Sequence, residues 1–328
     1  MRRRGFLGLL GGVALATSAA HGQQHPKPVI GFLSSAEGWK PGSPLFQEFR
    51  KGLAEQGCVE GRDVAVEYRW ARGQYDLLPG MASELVGQKV DVIVTTGGSV
   101  ALRAAKEATS SIPIVALMGA DPVAGGLVES LSRPGGNITG VAQLMTEADA
   151  KRLELLHELV PSANTIAYLE NPTLPFASQE TERIKSAAQL LGLNMPVVRA
   201  SRVEDLASAF AAITKSGAGA LLVHADPFFF IQRQKLIELA NSNHLPTMYF
   251  FREFVTAGGL ISYSTRLDQG YHQIGVYVGR VLNGAKPADL PIAQQSEKIE
   301  LVLNQKTAQA LGLTTPQSLL ARADEVIE

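Results

Sequence analysis

The sequence predicts an α/β protein of two lobes, each a parallel sheet with helices on both faces. Three observations predict it. Short Val/Ile-rich runs alternate with amphipathic stretches along the chain. Most of those runs are apolar at nearly every position, which is the pattern of strands buried on both faces. About 300 residues follow an N-terminal leader, more than one hydrophobic core usually holds. Strand–helix alternation over such a length gives right-handed βαβ units and parallel sheets.

The leader comes first. Arg2, Arg3 and Arg4 precede an apolar run from Gly5 to Ala16, and small residues follow, with cuts expected after Ala20 or Gly22. Positive, apolar and small, in that order, is a secretory signal peptide, here residues 1–22, and the run is too short to span a bilayer as a helix. Arg3-Arg4-Gly5-Phe6-Leu7 also resembles the twin-arginine export signal. The twin-arginine and general secretory routes both stay open. No cysteine sits near the cut, so no lipoprotein anchor is expected, and the exported chain is expected in the periplasm. Cys58 is the single cysteine; it forms no internal disulfide, excludes a multi-cysteine zinc site, and reads as a small, partly buried apolar residue.

The expected strands are Pro28–Leu33, Asp63–Tyr68, Asp91–Thr95, Pro113–Leu117, Ile138–Ala142, Thr165–Leu169, Met195–Val198, Ala220–His224, Thr247–Phe250, Leu260–Tyr263 and Ile299–Leu303. Between them, Leu153, Leu156, Leu159 and Val160 repeat at helical spacing before Pro161. Ile184, Ala188 and Leu191 do so before Gly192, and Leu236, Leu239 and Ala240 before Asn241. Val92–Thr95 with its following helix and Ile112–Val115 is weakly echoed by Leu221–His224 with its helix and Leu245–Met248, as two similar lobes would give. Crossings between lobes are expected near Ala142–Thr146, near Gly258-Gly259 and near Ala288–Gln295. They assign residues 28–142 and 262–290 to lobe 1 and residues 143–260 and 295–328 to lobe 2.

Charge narrows the function. The leader removes three arginines and no acid, leaving 27 basic against 31 acidic residues, a formal net charge of −4. That balance gives no electrostatic case for nucleic acid. Enzyme motifs are missing as well: no G-x-S-x-G elbow, Walker A loop, helix-opening G-x-G-x-x-G or paired metal histidines. His224 beside Asp226 is the nearest thing to an acid/base pair, and a lone strand-end histidine more often serves a hydrogen bond. A non-enzymatic protein without cofactor or metal is expected.

In open parallel sheets, ligands bind beyond the carboxyl ends of the strands. After the first strand stand Ser34 and Ser35, whose hydroxyls suit an anion or a helix cap. After the third stand Thr96, Gly97, Gly98 and Ser99. There the glycines admit a ligand to the main chain, and the helix start offers N–H donors to a carboxylate or phosphate. Asp121-Pro122, Asn171-Pro172 and Asp226-Pro227 each read as a helix N-cap with proline at the first helical position. All three lie at strand ends, so Asp121, Asn171 and Asp226 are ligand candidates as well as caps. The phenylalanines after Asp226 can wall an apolar pocket or join the core. Tyr263, ending a strand near a crossing, is the last candidate.

Ile30-Gly31-Phe32-Leu33-Ser34, Val94-Thr95-Thr96-Gly97-Gly98, Ile112-Pro113-Ile114-Val115, Gly119-Ala120-Asp121-Pro122, Gly135-Gly136-Asn137-Ile138-Thr139-Gly140 and Gly258–Tyr263 fall in a telling order. An exported chain carrying them resembles the ABC-transporter substrate-binding proteins of the tryptophan-importer type, which have the type I periplasmic binding fold. The resemblance runs from about Pro28 to Pro316. It implies two Rossmann-like lobes, three hinge strands and closure on a small ligand that is passed to an inner-membrane permease, with the binding protein a monomer. It also implies that Thr96–Ser99 with Ser34 or Ser35 hold a carboxylate, and that Asp226 and Asn171 meet an amine or other donor. Ser264 stands where the family has glycine, and Ala225–Phe229 differs from the family's Asp-Asn form. The ligand therefore stays open among amino acids and aromatic or other organic acids. Other readings are a ligand-sensing subunit for a membrane receptor, a ligand-responsive regulator, against which the leader argues, and an enzyme.

Overall fold

The computed structural model describes residues 27–38, 43–143, 145, 148–295 and 299–328. The expected leader lies outside these residues.

The first lobe is built by β1 (Val29–Ser34), α1 (Pro44–Glu55), β2 (Ala65–Trp70), α2 (Leu78–Gly87), β3 (Val92–Thr96), α3 (Ser99–Ala108), β4 (Ile114–Met118) and β5 (Ile138–Ala142). The second follows with α4 (Asp149–Leu159), β6 (Ile166–Glu170), α5 (Ala177–Leu190), β7 (Val197–Arg199), α6 (Asp205–Lys215), β8 (Ala220–Val223), α7 (Pro227–Ile231), α8 (Arg233–Ser242), β9 (Thr247–Tyr249), α9 (Arg252–Thr256) and β10 (Ile261–Thr265). The chain then returns as α10 (Leu267–Leu282) and β11 (Ala293–Gln294). It ends in β12 (Ile299–Asn304), α11 (Gln305–Ala310), α12 (Gln317–Arg322) and β13 (Glu325–Ile327).

One sheet has the order β11-β5-β4-β3-β1-β2, the other β13-β12-β10-β9-β8-β6-β7. All pairings among the named strands are parallel except β10 with β12. The central strands β3, β4, β5, β6 and β8 are buried at every position, as their unbroken apolar runs require. Apolar layers cover both faces of each sheet: Phe32, Phe49 and Ile274 on one face of the first with Leu85, Leu102 and Ile114 on the other, and likewise in the second. Cys58 lies in the first of these layers, only 8% exposed.

Several boundaries differ from the sequence reading. The second crossing falls at Arg266, not at Gly258-Gly259, because β10 pairs with β9 and β12 and so belongs wholly to the second sheet. Residues 262–265 therefore sit with lobe 2, and the chain returns to lobe 1 with α10, packed on α1, and β11, paired with β5. Gly258 serves the turn out of α9, where its φ is +104°. Strand β2 begins two residues late because Asp63 is held in a turn, its carboxylate accepting the Val59 N–H at 3.0 Å. The short strands β11 and β13 were not anticipated at all.

Buried side chains fasten the crossings. Gln143, after β5, donates to Gln295 after β11 at 3.0 Å. Arg152 is fully buried. It donates to the carbonyls of Met145 and Tyr263, each at 2.7 Å, and pairs with Asp149 at 2.6 Å. It thus binds the start of the first crossing to the strand that precedes the second.

Candidate functional site

Strands β1 and β3 are neighbours with Ser34 opposite Thr96, so their carboxyl ends form one ledge. Thr96 Oγ1 donates to Ser34 Oγ at 2.9 Å, and the Ala36 N–H donates to the same oxygen at 3.1 Å. Ser35 Oγ donates to the Gly97 carbonyl. These hydroxyls hold the turn that follows β3. In that turn Gly97 and Gly98 have φ of +76° and +85°, and a Cβ on Gly97 would collide with Ser35 Oγ. Helix α3 then starts at Ser99, with Gly98 in the cap position and no side chain spent on the first free N–H groups. Ser99 is itself the first helical residue.

The opposite wall comes from the second lobe. Asp226 caps α7, its Oδ1 accepting the Phe229 N–H at 3.2 Å, and Pro227 takes the first helical position. Oδ2 accepts from Tyr75 Oη at 3.1 Å and from Asn171 Nδ2 at 3.3 Å. Asp226 is 1% exposed, and burial raises its pKa against the opposing pull of His224 and of its hydrogen-bond donors. Behind it, His224 Nε2 lies 2.9 Å from Glu180 Oε2. Burial works against charge on this ring. The hydrogen bond to Glu180 and the fields of Asp149, Glu180 and Asp226 outweigh it and leave the pKa above the ordinary histidine value.

Between the walls lies a cavity of about 110 Å³. Gly97, Gly98 and Ser99 line one side, and Asp226 and Glu180 the other. The two turns face each other closely, since a Cβ on Gly98 would stand 3.2 Å from Pro227 Cγ. Apolar lining comes from both lobes: Leu117, Leu267 and Tyr271 from the first, Phe176, Phe230 and Phe251 from the second. Among the described residues no group of three or more His, Cys, Asp or Glu is placed to hold a metal ion.

The remaining expected residues lie elsewhere. Ser34, Ser35 and Thr96 stand behind the lining, fully buried, and shape the glycine turn. Asn171 is also behind the lining, its Oδ1 accepting from Thr173 N and Oγ1 at 3.1 and 2.8 Å. Asp121 accepts the N–H groups of Val123 and Ala124 at 2.8 and 3.2 Å and opens onto a side pocket that shares Ala120, Phe176 and Glu180 with the cavity. Neither Asp121-Pro122 nor Asn171-Pro172 starts a helix directly; both begin turns. Tyr263 points away from the cleft into the second-lobe core, because alternation along β10 sends it to the face opposite Ser262 and Ser264. Of the three phenylalanines after Pro227, only Phe230 lines the cavity; Phe228 and Phe229 are core.

A family model described as ABC transporter substrate binding protein matches residues 44–327. The chain belongs to this family. Among curated relatives, the Tyrosine-binding protein of Clostridioides difficile is 25% identical over 265 residues, 81% of this chain and 75% of that one. Two solved structures superpose closely. A conserved domain protein from Vibrio cholerae is 27% identical with a TM-score of 0.83. The ABC domain in complex with L-Trp from Streptococcus pneumonia is 27% identical with a TM-score of 0.80. Each comparison covers 92% of this chain and 100% of the other. The architecture is that of a type I periplasmic binding protein, as expected.

In this substrate-binding protein, sequence reasoning missed Glu180, Gln143, Phe176, Phe251 and Tyr271. Phe251 follows the carboxyl end of β9 and falls under the same strand-end rule that found Asp226. Glu180 lies one helical turn before Ile184 and two before Ala188, on the inward stripe of α5. An acid on a buried stripe is the signal that could have found it.

Proposed function

We propose that the protein is exported to the periplasm and there binds an aromatic α-amino acid between its lobes for an ABC importer, without enzymatic activity and as a monomer. One observation carries the reading: a single cavity has free amide donors on one wall and buried acids on the other, with aromatic side chains between. The ligand carboxylate rests on the N–H groups of Gly97–Ser99, where the start of α3 adds partial positive charge. The ammonium meets Asp226 and Glu180, and the ring lies among Phe176, Phe230 and Phe251. The relatives that bind L-Trp or are named for tyrosine support the aromatic choice.

A ligand that touches both walls binds the closed state better than the open one and shifts the population toward closure. Moving that balance from 1:99 to 99:1 takes about 5.5 kcal/mol of differential affinity. Two charge-assisted contacts, each largely removed from water, reach that scale.

Titration calorimetry with L-tryptophan, L-tyrosine, 3-(4-hydroxyphenyl)propionate and 4-hydroxybenzoate tests the reading. Expected is saturable binding of at least one amino acid and binding at least tenfold weaker for both acids that lack the amine. Equal affinity for the amine-free acids, or no binding of either amino acid, would overturn it. N-terminal sequencing of the protein from a periplasmic extract tests export, with a mature chain expected to start after Ala20 or Gly22.

A further inference from the structure

One side chain joins the lobes without lining the cavity. Tyr75 sits in the short turn of helix Tyr75–Leu77 that follows β2 in lobe 1. Its hydroxyl donates to Asp226 Oδ2 at 3.1 Å and accepts the Phe228 N–H at 3.1 Å, both in lobe 2. Its ring packs against core residues of both lobes. The neighbouring turn follows it across, as a Cβ on Gly73 would lie 3.5 Å from Ile231 Cδ1.

We infer that Tyr75 is a closure latch, a positioning residue that sets ligand affinity by tying the cap of α7 to lobe 1. This rests on the reading of the interlobe cavity as the ligand site. The reasoning is one of differential solvation. When the lobes are apart, the Tyr75 hydroxyl, the Asp226 carboxylate and the Phe228 N–H all meet water. When the lobes meet, the same three groups are withdrawn from it and satisfied by one another. A hydrogen bond to a buried carboxylate is among the stronger kinds, and an unmade one in a buried place is costly. Removing the hydroxyl therefore penalises the closed state alone. Both partners are protein groups, so the latch acts with or without ligand, and it lowers the conformational cost that an incoming ligand must meet. It also fixes the Asp226 side chain, whose two oxygens are taken by Tyr75, Asn171 and Phe229.

Tyr75→Phe keeps the ring and removes the hydroxyl. Two readouts test the latch. The first is the interlobe distance distribution from pulsed electron resonance. Spin labels are placed at Glu107→Cys and Lys215→Cys, exposed on opposite lobes, in a Cys58→Ser background. The closed-to-open ratio is expected to fall at least tenfold in Tyr75→Phe, with or without added amino acid. The second is stopped-flow binding of L-tryptophan and L-tyrosine. The dissociation rate is expected to rise at least tenfold while the association rate changes less than about threefold, and the melting temperature without ligand is expected to stay near that of the unsubstituted protein. Distance distributions and dissociation rates unchanged by the substitution would overturn the latch. If neither amino acid binds the unsubstituted protein, the ligand reading fails, and the distance measurement alone decides the latch.

Discussion

Asp226-Pro227 and Asp121-Pro122 are the same dipeptide in the same topological place, just past the carboxyl end of a parallel strand, β8 in one lobe and β4 in the other. Their outcomes differ. Asp226 is buried, caps a helix and accepts from three donors on two lobes. Asp121 is half-buried and does no more than hold a turn. The residues that follow explain the contrast. Phe228 and Phe229 are 5% and 0% exposed and pull α7 down onto the second-lobe core, carrying the aspartate with them. After Pro122 come Val123, 39% exposed, and Gly125-Gly126, where φ of +63° at Gly126 ends any helix. Asp-Pro fixes the local path of the chain, and the apolar residues downstream decide how deep it goes.

The sharpest way to break this comparison is Asp226→Ala. Binding of an amine-bearing ligand is expected to weaken at least tenfold in calorimetry. Stability should fall by about 1–3 kcal/mol, since Tyr75, Asn171 and Phe229 lose their acceptor. Asp226→Asn separates the cap from the charge. The amide oxygen still caps α7, but the amide nitrogen, a donor, stands where Oδ2 accepts from Tyr75 and Asn171. Stability should therefore also fall, by about 1–3 kcal/mol, while ligand affinity falls nearly as far as in Asp226→Ala. Wild-type affinity in Asp226→Asn would remove the carboxylate from ligand binding.

The Asp226 side of the comparison also carries a histidine. His224 is enclosed by Glu180, Asp149 and Asp226, with the Tyr168 ring 5.6 Å away. Its pKa is raised on folding, so the folded protein holds the proton more tightly than the unfolded chain. The resulting stabilisation is fully present below the unfolded-state pKa and is lost as pH rises through the folded-state value. Stability, followed by denaturant unfolding, is therefore expected to decline from the ordinary histidine range upward, with a slope of at most about 1.4 kcal/mol per pH unit for one proton. His224→Gln should flatten that decline. An equally steep decline in His224→Gln would assign the proton to another group.

Much of this arrangement was legible in the sequence, for identifiable reasons. Unbroken apolar runs located β3, β4, β5, β6 and β8 to within a residue, because burial on both faces leaves no other pattern. The glycine turn was legible because positive φ selects glycine. What stayed hidden is what depends on partners distant in the chain. Ser34 and Ser35 looked like ligand contacts, and their role as props for Gly97 follows only from β1 lying beside β3. Nothing near Tyr75 in the sequence points to a partner 151 residues away. The two-residue strand β11 carries no periodicity and exists because β5 offers it an edge.

The smallest expected effect sharpens the comparison from its other side. Asp121 makes two local hydrogen bonds in a partly exposed turn, so Asp121→Ala should cost about 0.5–1 kcal/mol, the range of a surface cap. Its pocket shares Phe176 and Glu180 with the main cavity, yet its carboxylate faces its own backbone, so ligand affinity should change less than threefold. Differential scanning calorimetry with a ligand titration on the same sample measures both. A tenfold loss of affinity in Asp121→Ala would mean that the side pocket is part of the ligand site and that depth alone does not divide the two aspartates.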